Sequence, residues 1–195
     1  MLTQPLLDKL SQLRLSGFRA ALEEQLHNPQ YDDLSFEERL GLLVDIETTR
    51  RANNSLRRRI KAARFPIAAT IEDLDLSARR GLNRGQVLQL AQSEWVDRHL
   101  NLMILGPTGA GKTYLASALG RAACQAGCKV RYERTSRLLK SLELAHADGS
   151  YPQLLRSLAR VQLLIFDDWL RDSLSRSQAR DLLEILDDRY GRSAT

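Results

Sequence analysis

A glycine-rich segment of eight residues, GPTGAGKT at 106–113, constrains the fold of this chain more than any other feature of its sequence. It matches the pattern GxxxxGK followed by Ser or Thr, whose backbone N–H groups and helix N-terminus bind phosphate oxygens. The pattern requires a strand directly before it and a helix directly after it. The apolar residues 101–105 predict the strand, and residues 114–125 predict a helix that stops at Gly127. The segment therefore predicts a phosphate-binding loop within an α/β fold.

The residues of this loop and of the following helical turn are the predicted ligands of a nucleotide. Its glycines let the backbone curl around phosphate oxygens. Lys112 is predicted to be a catalytic residue that reaches the β- and γ-phosphates, and the Thr113 hydroxyl is predicted to ligate Mg²⁺. The alternative is a glycine-rich turn without a ligand, which the register of all eight residues with both flanking elements disfavours. The predicted nucleotide-binding residues are Gly106, Pro107, Thr108, Gly109, Ala110, Gly111, Lys112, Thr113 and Tyr114.

A second motif, LLIFDD at 163–168, places two carboxylates at the end of an apolar run. A carboxylate at the carboxyl end of a buried strand beside a phosphate loop accepts a hydrogen bond from a magnesium-bound water. We therefore expect Asp167 to belong to the Mg²⁺ site. Asp168 is the predicted catalytic residue that orients or deprotonates the attacking water, and a helix-capping role is the alternative for it.

The order of the elements around these motifs predicts how the sheet is built. Strands that alternate with helices are typical of a parallel sheet flanked by helices, and a nearly continuous apolar strand is typical of burial on both faces. After the first helix, the sequence predicts a strand at 129–134, helices at 136–146 and 151–159, a strand at 161–166 and a helix from the Ser175–Gln178 capping box to about Arg189.

Residues 1–66 are predicted to form a small all-α domain ahead of this unit. Leucines at helical spacing predict a first helix, and Gly17 predicts a break after it. Ser35 and Glu38 form a capping box for a longer helix that reaches about Ala63, with a bend or break near 47–55 because its apolar residues change face there. The leucines of the first helix are Leu2, Leu6, Leu10 and Leu13.

Residues 67–100 are predicted to be a linker that ends in a lead-in helix at 86–95. They mix turn residues and acidic residues without a lasting period, as connecting segments commonly do.

The net charge of +5 is unevenly distributed. Residues 1–49 carry four basic and nine acidic residues, whereas residues 50–64 carry seven basic residues and no acidic one. On a helix, the side chains at 50, 57, 61 and 64 form one stripe with those at 51 and 58 beside it, and such a stripe favours contact with the backbone of double-stranded DNA. A solvated helix face is the alternative. The predicted DNA-binding residues are Arg50, Arg51, Arg57, Arg58, Arg59, Lys61 and Arg64.

Several classes of protein are disfavoured by composition. The longest apolar runs are four residues, too short to span a membrane, and Asp8 and Lys9 interrupt the N-terminus where a signal peptide would be apolar. We therefore expect a cytoplasmic protein with no membrane partner. Cys124 and Cys128 are too few for a disulfide scaffold, so we expect reduced thiols.

The motifs, in their order along the chain, resemble the IstB/DnaC group of AAA+ ATPases, and most closely the IstB-like transposition helpers of bacterial insertion sequences. The likeness rests on the phosphate loop, on GKTYLASALGRAACQAG, on KVRYER and on LLIFDDW. It extends N-terminally through SFEERLGLLVDIE, ARFP at 63–66 and TIEDLDL at 70–76. The resemblance implies a P-loop NTPase fold of the AAA+ type and an ATPase that binds ATP and Mg²⁺, self-associates on target DNA and delivers that DNA to a transposase.

Two departures from the family pattern accompany this resemblance. The family often has His after GKT and Gly after DDW, where this chain has Tyr114 and Leu170. Residues 101–195 correspond to a C-terminally incomplete core, because the polar sensor, the arginine finger and the helical lid of the family would follow residue 195.

Other functions stay open at this stage. A replicative helicase loader of the same group is one, although residues 1–100 lack the cysteines of a metal site and carry the basic segment. A small-molecule phosphotransferase and a nucleotide-binding module without turnover are the others.

Overall fold

The computed structural model describes residues 3–75, 81–169 and 171–195. Leu2 of the predicted first helix, Leu76 at the end of TIEDLDL and the departure at Leu170 lie outside these ranges. The chain divides into two compact units, Met1–Arg57 and Arg58–Thr195. The division falls inside a long helix, whereas the predicted domain boundary at 66 lies after that helix.

The first unit is helical. It contains α1 (Thr3–Gln12), α2 (Ser16–His27), a short 3₁₀ turn (Pro29–Tyr31) and most of α3 (Phe36–Ala63). The predicted break at Gly17 is wrong, because the chain turns earlier, where Arg14 adopts a left-handed conformation with φ of 58°. Gly17 lies within α2 instead, and a Cβ there would lie only 2.9 Å from a carboxylate oxygen of Glu47. The glycine therefore permits a close helix contact rather than a turn.

Helix α3 is continuous over 28 residues, so a break near 47–55, one of the two predicted possibilities, is wrong. The predicted capping box is confirmed, with Ser35 N–H donating to Glu38 Oε2 at 2.8 Å and Glu38 N–H donating to Ser35 Oγ at 3.3 Å. The apolar pattern changes face because the buried position at 47 is polar. The Glu47 carboxylate accepts the N–H groups of Gly17 and Phe18 at 2.8 and 3.1 Å, and thereby caps α2.

The second unit contains the predicted α/β elements. They are α4 (Arg84–Ala91), α5 (Glu94–Asp97), α6 (Lys112–Gln125), β1 (Val130–Arg134), α7 (Thr135–Asp148), α8 (Tyr151–Ala159), β2 (Leu163–Asp167) and α9 (Arg176–Arg189). Strands β1 and β2 pair in parallel, with Val130 opposite Leu163 and Arg134 opposite Asp167. The aligned ends of the strands bring their carboxyl-terminal residues to one edge of the sheet. The apolar core between β2 and the helices α7, α8 and α9 includes Leu138, Leu142, Leu158, Leu164, Leu182 and Ile185.

Residues 101–105, all of them described, form no strand, so that prediction is wrong. Leu102 N–H donates to the carbonyl oxygen of Thr195 at 2.9 Å, and Ala194 forms a parallel bridge to Leu163. A ladder needs several successive backbone pairs between neighbouring segments, and one hydrogen bond between Leu102 and Thr195 does not make one. Residues 101–105 therefore stay outside the two-stranded sheet.

The predicted lead-in helix at 86–95 is also wrong in one respect, since it divides into α4 and α5. Ser93 between them is left-handed, with φ of 65°, and the Trp95 indole donates to the carbonyl oxygen of Leu90 at 3.0 Å. This bond takes the carbonyl group that a longer helix would have used. Ile71, Leu74 and Leu90 pack against α6 in an apolar cluster that includes Leu115 and Leu119.

A buried arginine holds the end of the chain beside β2. Arg189 is 2% exposed and donates to the carbonyl oxygens of Leu158 and Val161 at 2.9 and 3.0 Å, and also to that of Ala194. Burial lowers the pKa of Arg189 to about 10, so the guanidinium keeps its charge at neutral pH. It replaces hydration of three carbonyl groups with charge-assisted hydrogen bonds.

Candidate nucleotide-binding site

The glycine-rich segment forms a loop that enters α6 at Lys112. Gly109 and Gly111 have φ of 81° and 91°, a conformation that side chains with a Cβ adopt only at a cost. A Cβ on Gly109 would meet no heavy atom of the described residues within 4 Å, so the glycine there meets a conformational need rather than a steric one. The loop shape therefore depends on the residues that the pattern requires.

The Lys112 side chain folds back over this loop. Its ammonium group donates to the carbonyl oxygens of Gly106 and Pro107, both at 2.8 Å. These contacts place a positive charge at the loop, next to the N-terminus of α6, and both features attract anions. The geometry agrees with the predicted phosphate-binding role of Lys112 and does not itself test that role.

Thr113 and Asp167 meet across the edge of the sheet. The Thr113 hydroxyl lies 3.0 Å from Oδ2 and 3.3 Å from Oδ1 of Asp167. Thr113 is in the first turn of α6, and Asp167 is the last residue of β2. Because the hydroxyl donates its proton to the carboxylate, the lone pairs of its oxygen stay available to a cation. The structure thus brings together the two residues predicted for Mg²⁺.

Two residues that the sequence motifs do not identify also hold Asp167. The Tyr132 hydroxyl donates to Oδ2 of Asp167, and the Thr135 hydroxyl donates to its backbone carbonyl oxygen at 3.0 Å. Burial, followed by the hydrogen bond and the charge of Asp167, raises the pKa of Tyr132, so this phenol is a donor at neutral pH. The only sequence signal for Tyr132 is its place in KVRYER, which becomes informative once the register with β2 is known.

Asp168 directly follows Asp167, just beyond the end of β2. It is exposed and left-handed, with φ of 53°, and lines a cavity of about 210 Å³ together with Thr135, Lys140 and Arg171. Aspartate tolerates this conformation better than most residues. The predicted catalytic carboxylate is therefore accessible, and its role as a water-orienting residue stays a prediction.

A cavity of about 250 Å³ opens beside the loop. Its lining includes Gly106 and Lys112 of the loop together with Leu74, Leu82 and Tyr114. A cavity that combines a charged group with apolar side chains suits an amphipathic ligand such as a nucleotide.

The residues present fit Mg²⁺ in the manner that the loop pattern predicts. Within the described part of the chain, His, Cys, Asp and Glu side chains form no group of three that could hold a metal ion by themselves. Mg²⁺ is commonly bound by one or two protein oxygens together with substrate phosphates and water, and Thr113 and Asp167 provide such oxygens.

The basic segment divides into exposed and bonded residues. Arg51 donates to Oε1 of Glu47 at 2.6 Å, and Arg59 Nε donates to the carbonyl oxygen of Cys124 at 2.9 Å. The structure therefore commits two of the seven predicted DNA-binding residues to contacts within the protein. Arg51 nevertheless keeps an exposed side chain, and the other exposed members are Arg50, Arg57, Arg58, Lys61 and Arg64. Arg64 follows the end of α3 and is left-handed, with φ of 61°, so the predicted helical stripe is wrong at this residue and reaches only Lys61.

Over residues 3–75, 81–169 and 171–195, no helix has both the length and the apolar content that a bilayer crossing requires.

Comparison with known proteins supports the motif analysis. The family described as IstB-like ATP binding protein matches residues 8–195. A Pseudomonas fluorescens protein named as an ATP-binding protein of insertion sequence IS1162 is 46% identical over 196 residues, which cover 100% of this chain and 85% of the relative.

Two further relatives have similar names. A Sinorhizobium fredii protein named as an insertion sequence ATP-binding protein is 44% identical over 195 residues, which cover 100% of this chain and 80% of the relative. A Pseudomonas aeruginosa protein named for ATP binding in insertion sequence IS21 is 30% identical over 185 residues, covering 95% and 70%.

Proposed function

Because the chain belongs to the family of IstB-like ATP-binding proteins, we propose that it is an ATPase that binds DNA and assists transposition. Membership of the family confirms the predicted resemblance and the α/β P-loop fold, and it supports ATP as the nucleotide. The observation that carries the proposal is the meeting of Thr113 with Asp167 beside the Lys112 ammonium.

Three sets of groups in and beside the glycine-rich loop support the proposed binding of a nucleotide. Backbone N–H groups of the loop residues other than Pro107, together with the N-terminus of α6, would hold the phosphates, as the pattern requires. The Lys112 ammonium would exchange its contacts with the Gly106 and Pro107 carbonyl oxygens for contacts with phosphate oxygens. Leu74, Leu82 and Tyr114 would cover the apolar part of the nucleotide in the adjoining cavity.

Thr113 and Asp167 are the residues that would hold Mg²⁺, which when bound neutralises phosphate charge and polarises the γ-phosphate. The Thr113 oxygen would be a direct ligand. Asp167 would accept hydrogen bonds from water and keep the Thr113 hydroxyl oriented, as it does in the structure.

Hydrolysis additionally requires a group that orients water, and we propose Asp168 for that role. Its carboxylate is exposed, adjoins the Mg²⁺ pair in sequence and lines an open cavity. A left-handed backbone at this position directs the chain away from the continuing line of β2. Asp168 and Asp167 can therefore serve different partners although they are neighbours.

DNA binding is proposed for the exposed part of the basic segment. Exposed bases on α3, with Arg64 just after its end, can neutralise several phosphates, and the relatives are named for insertion sequences. Phosphate contacts carry no base identity, so we expect weak sequence preference. Self-association on DNA and recruitment of a transposase complete the proposal, and both rest on the family resemblance.

The test is ATP hydrolysis measured with and without random duplex DNA. We expect turnover that DNA stimulates, and we expect Asp168→Asn to suppress turnover while ATP binding persists. Asp172→Asn is the matched control, because Asp172 is an exposed carboxylate that lines the same cavity. Turnover at the parent rate in Asp168→Asn would show that the water-orienting residue lies elsewhere.

A further inference from the structure

Asp167 carries out its proposed role only if its carboxylate is held in one orientation, and a residue outside both nucleotide motifs provides that restraint. Tyr132 is 4% exposed and lies on β1, next to Ile165 of β2 in the parallel register. Its hydroxyl reaches Oδ2 of Asp167 from the neighbouring strand.

Oδ2 of Asp167 thus accepts two hydroxyl groups, one from Tyr132 and one from Thr113. A carboxylate on a single side-chain bond rotates freely unless it is held at more than one point, and the two donors come from different elements, β1 and α6. Because both donors favour Oδ2, the lone pairs of Oδ1 stay available for further donors such as water.

The Tyr132 ring is itself held by the segment that follows α3. Phe65 meets Tyr132 edge to face, with ring centroids 6.4 Å apart and an interplanar angle of 69°. On its other side Phe65 lies against Gly120 of α6, where a Cβ would lie 2.6 Å from Phe65 Cε1. The glycine leaves room for the ring, and the ring keeps the tyrosine in place.

We propose that Tyr132, supported by Phe65, is a positioning residue that orients the Asp167 carboxylate for Mg²⁺-dependent nucleotide binding. The inference rests on the proposed function, since it assigns a role through Asp167. It also gives a role to the ARFP segment, whose phenylalanine reaches the nucleotide site through Tyr132.

The test is a titration of Mg²⁺ into the protein with a fluorescent ATP analogue. Tyr132→Phe keeps the ring and removes the hydroxyl, and we expect it to raise the half-maximal Mg²⁺ concentration roughly tenfold, as loss of an outer hydrogen bond to a metal site commonly does. Nucleotide affinity in EDTA should stay at the parent value, whereas a general loss of structure would lower affinity both with and without Mg²⁺.

Three further variants define the result. Tyr151→Phe is the matched control, since that hydroxyl donates to Glu184 at 2.8 Å and to Asp181 at 3.3 Å, and its removal should leave the Mg²⁺ titration unchanged. Phe65→Leu keeps the Tyr132 hydroxyl and should give a smaller shift in the same direction. In an Asp167→Asn background, Tyr132→Phe should add no further shift.

An unchanged half-maximal Mg²⁺ concentration in Tyr132→Phe would overturn the inference and leave the proposed function intact. A full additional shift in the Asp167→Asn background would also overturn it, because the tyrosine would then act independently of Asp167. If the parent protein bound no ATP analogue at any Mg²⁺ concentration, the proposed function would fail and the inference with it.

Discussion

The glycine-rich loop and the basic segment are both proposed to bind phosphate, yet the structure organises them differently. The loop relies on backbone geometry and on a lysine whose ammonium is already fixed by two carbonyl oxygens. The basic segment relies on separate side chains of α3 and on Arg64 after its end, and Arg51 and Arg59 among them are bonded to the protein.

This difference shows why one motif specifies its residues and the other does not. In the loop, each position has a conformational or chemical requirement, so the sequence pattern identifies the participants. In the basic segment, the charge of the whole run is informative, but the fold decides which individual arginine faces solvent. Burial and local carbonyl groups compete with a nucleic acid for the same guanidinium donors.

The largest expected effect comes from breaking the loop backbone. Gly111→Val places a branched side chain at φ of 91°, and such a conformation costs at least about 1–2 kcal/mol. If that cost falls on the nucleotide-binding conformation, affinity for ATP falls about 5- to 30-fold. The measurement is equilibrium titration with a fluorescent ATP analogue.

Gly149→Val is the control for local strain. Gly149 is the C-cap of α7, with φ of 77°, and lies outside the loop. The Gly149→Val variant should lose about as much stability as Gly111→Val and keep the parent affinity for ATP. Equal losses of affinity in both variants would attribute the effect to general destabilisation.

A smaller and graded effect is expected from the exposed bases. Changing Arg50, Arg57, Lys61 and Arg64 together to Ala should lower the log–log salt slope of duplex DNA binding by about 0.9 for every phosphate contact that is lost. Fluorescence anisotropy with random duplex at several salt concentrations measures this slope. The control is a variant that loses the same charge elsewhere, because four other exposed bases are changed to Ala. These are Lys129, Arg156, Arg160 and Arg192.

Equal slopes for the parent and the stripe variant would remove the DNA role from this segment. The helicase-loader function would then gain support relative to the transposition helper.

An effect on stability rather than on ligand binding separates a bonded arginine from an exposed neighbour. Arg59→Ala removes the donor to the Cys124 carbonyl oxygen and should lower the free energy of unfolding by about 1.5–3 kcal/mol. Arg58→Ala removes an exposed side chain and should change it by less than about 0.5 kcal/mol. Urea denaturation of both variants checks the difference, and equal losses would show that the Cys124 contact contributes little.

The parts of the fold that local chemistry determines could be predicted from the sequence. Capping boxes at Ser35 and Ser175 and the left-handed Gly127 mark helix ends through interactions within a few residues. The glycine-rich loop is another local feature, which explains why its position and its helix were correctly predicted.

The parts that depend on distant partners could not be predicted. Tyr132 reaches Asp167 only because β1 and β2 pair in a particular register, and the polar Glu47 is buried on α3 where it accepts the N–H groups at the start of α2. Residues 101–105 have the composition of a strand, but Leu102 forms one backbone hydrogen bond to Thr195 rather than a ladder. In each case, the missing information is the identity of a partner far away in sequence.

The central claim is that the loop and the Thr113–Asp167 pair form an ATP site, and Lys112→Ala tests it most directly. The substitution removes the ammonium but leaves the loop backbone intact, and Lys129→Ala makes the same charge change at an exposed position outside the loop. In a Mg²⁺-ATP titration, we predict that Lys112→Ala weakens affinity roughly tenfold or more, because a charged hydrogen bond contributes about 1.5–3 kcal/mol, while Lys129→Ala binds as the parent does. Equal affinity in the parent and Lys112→Ala would contradict the assignment of this loop as the nucleotide site.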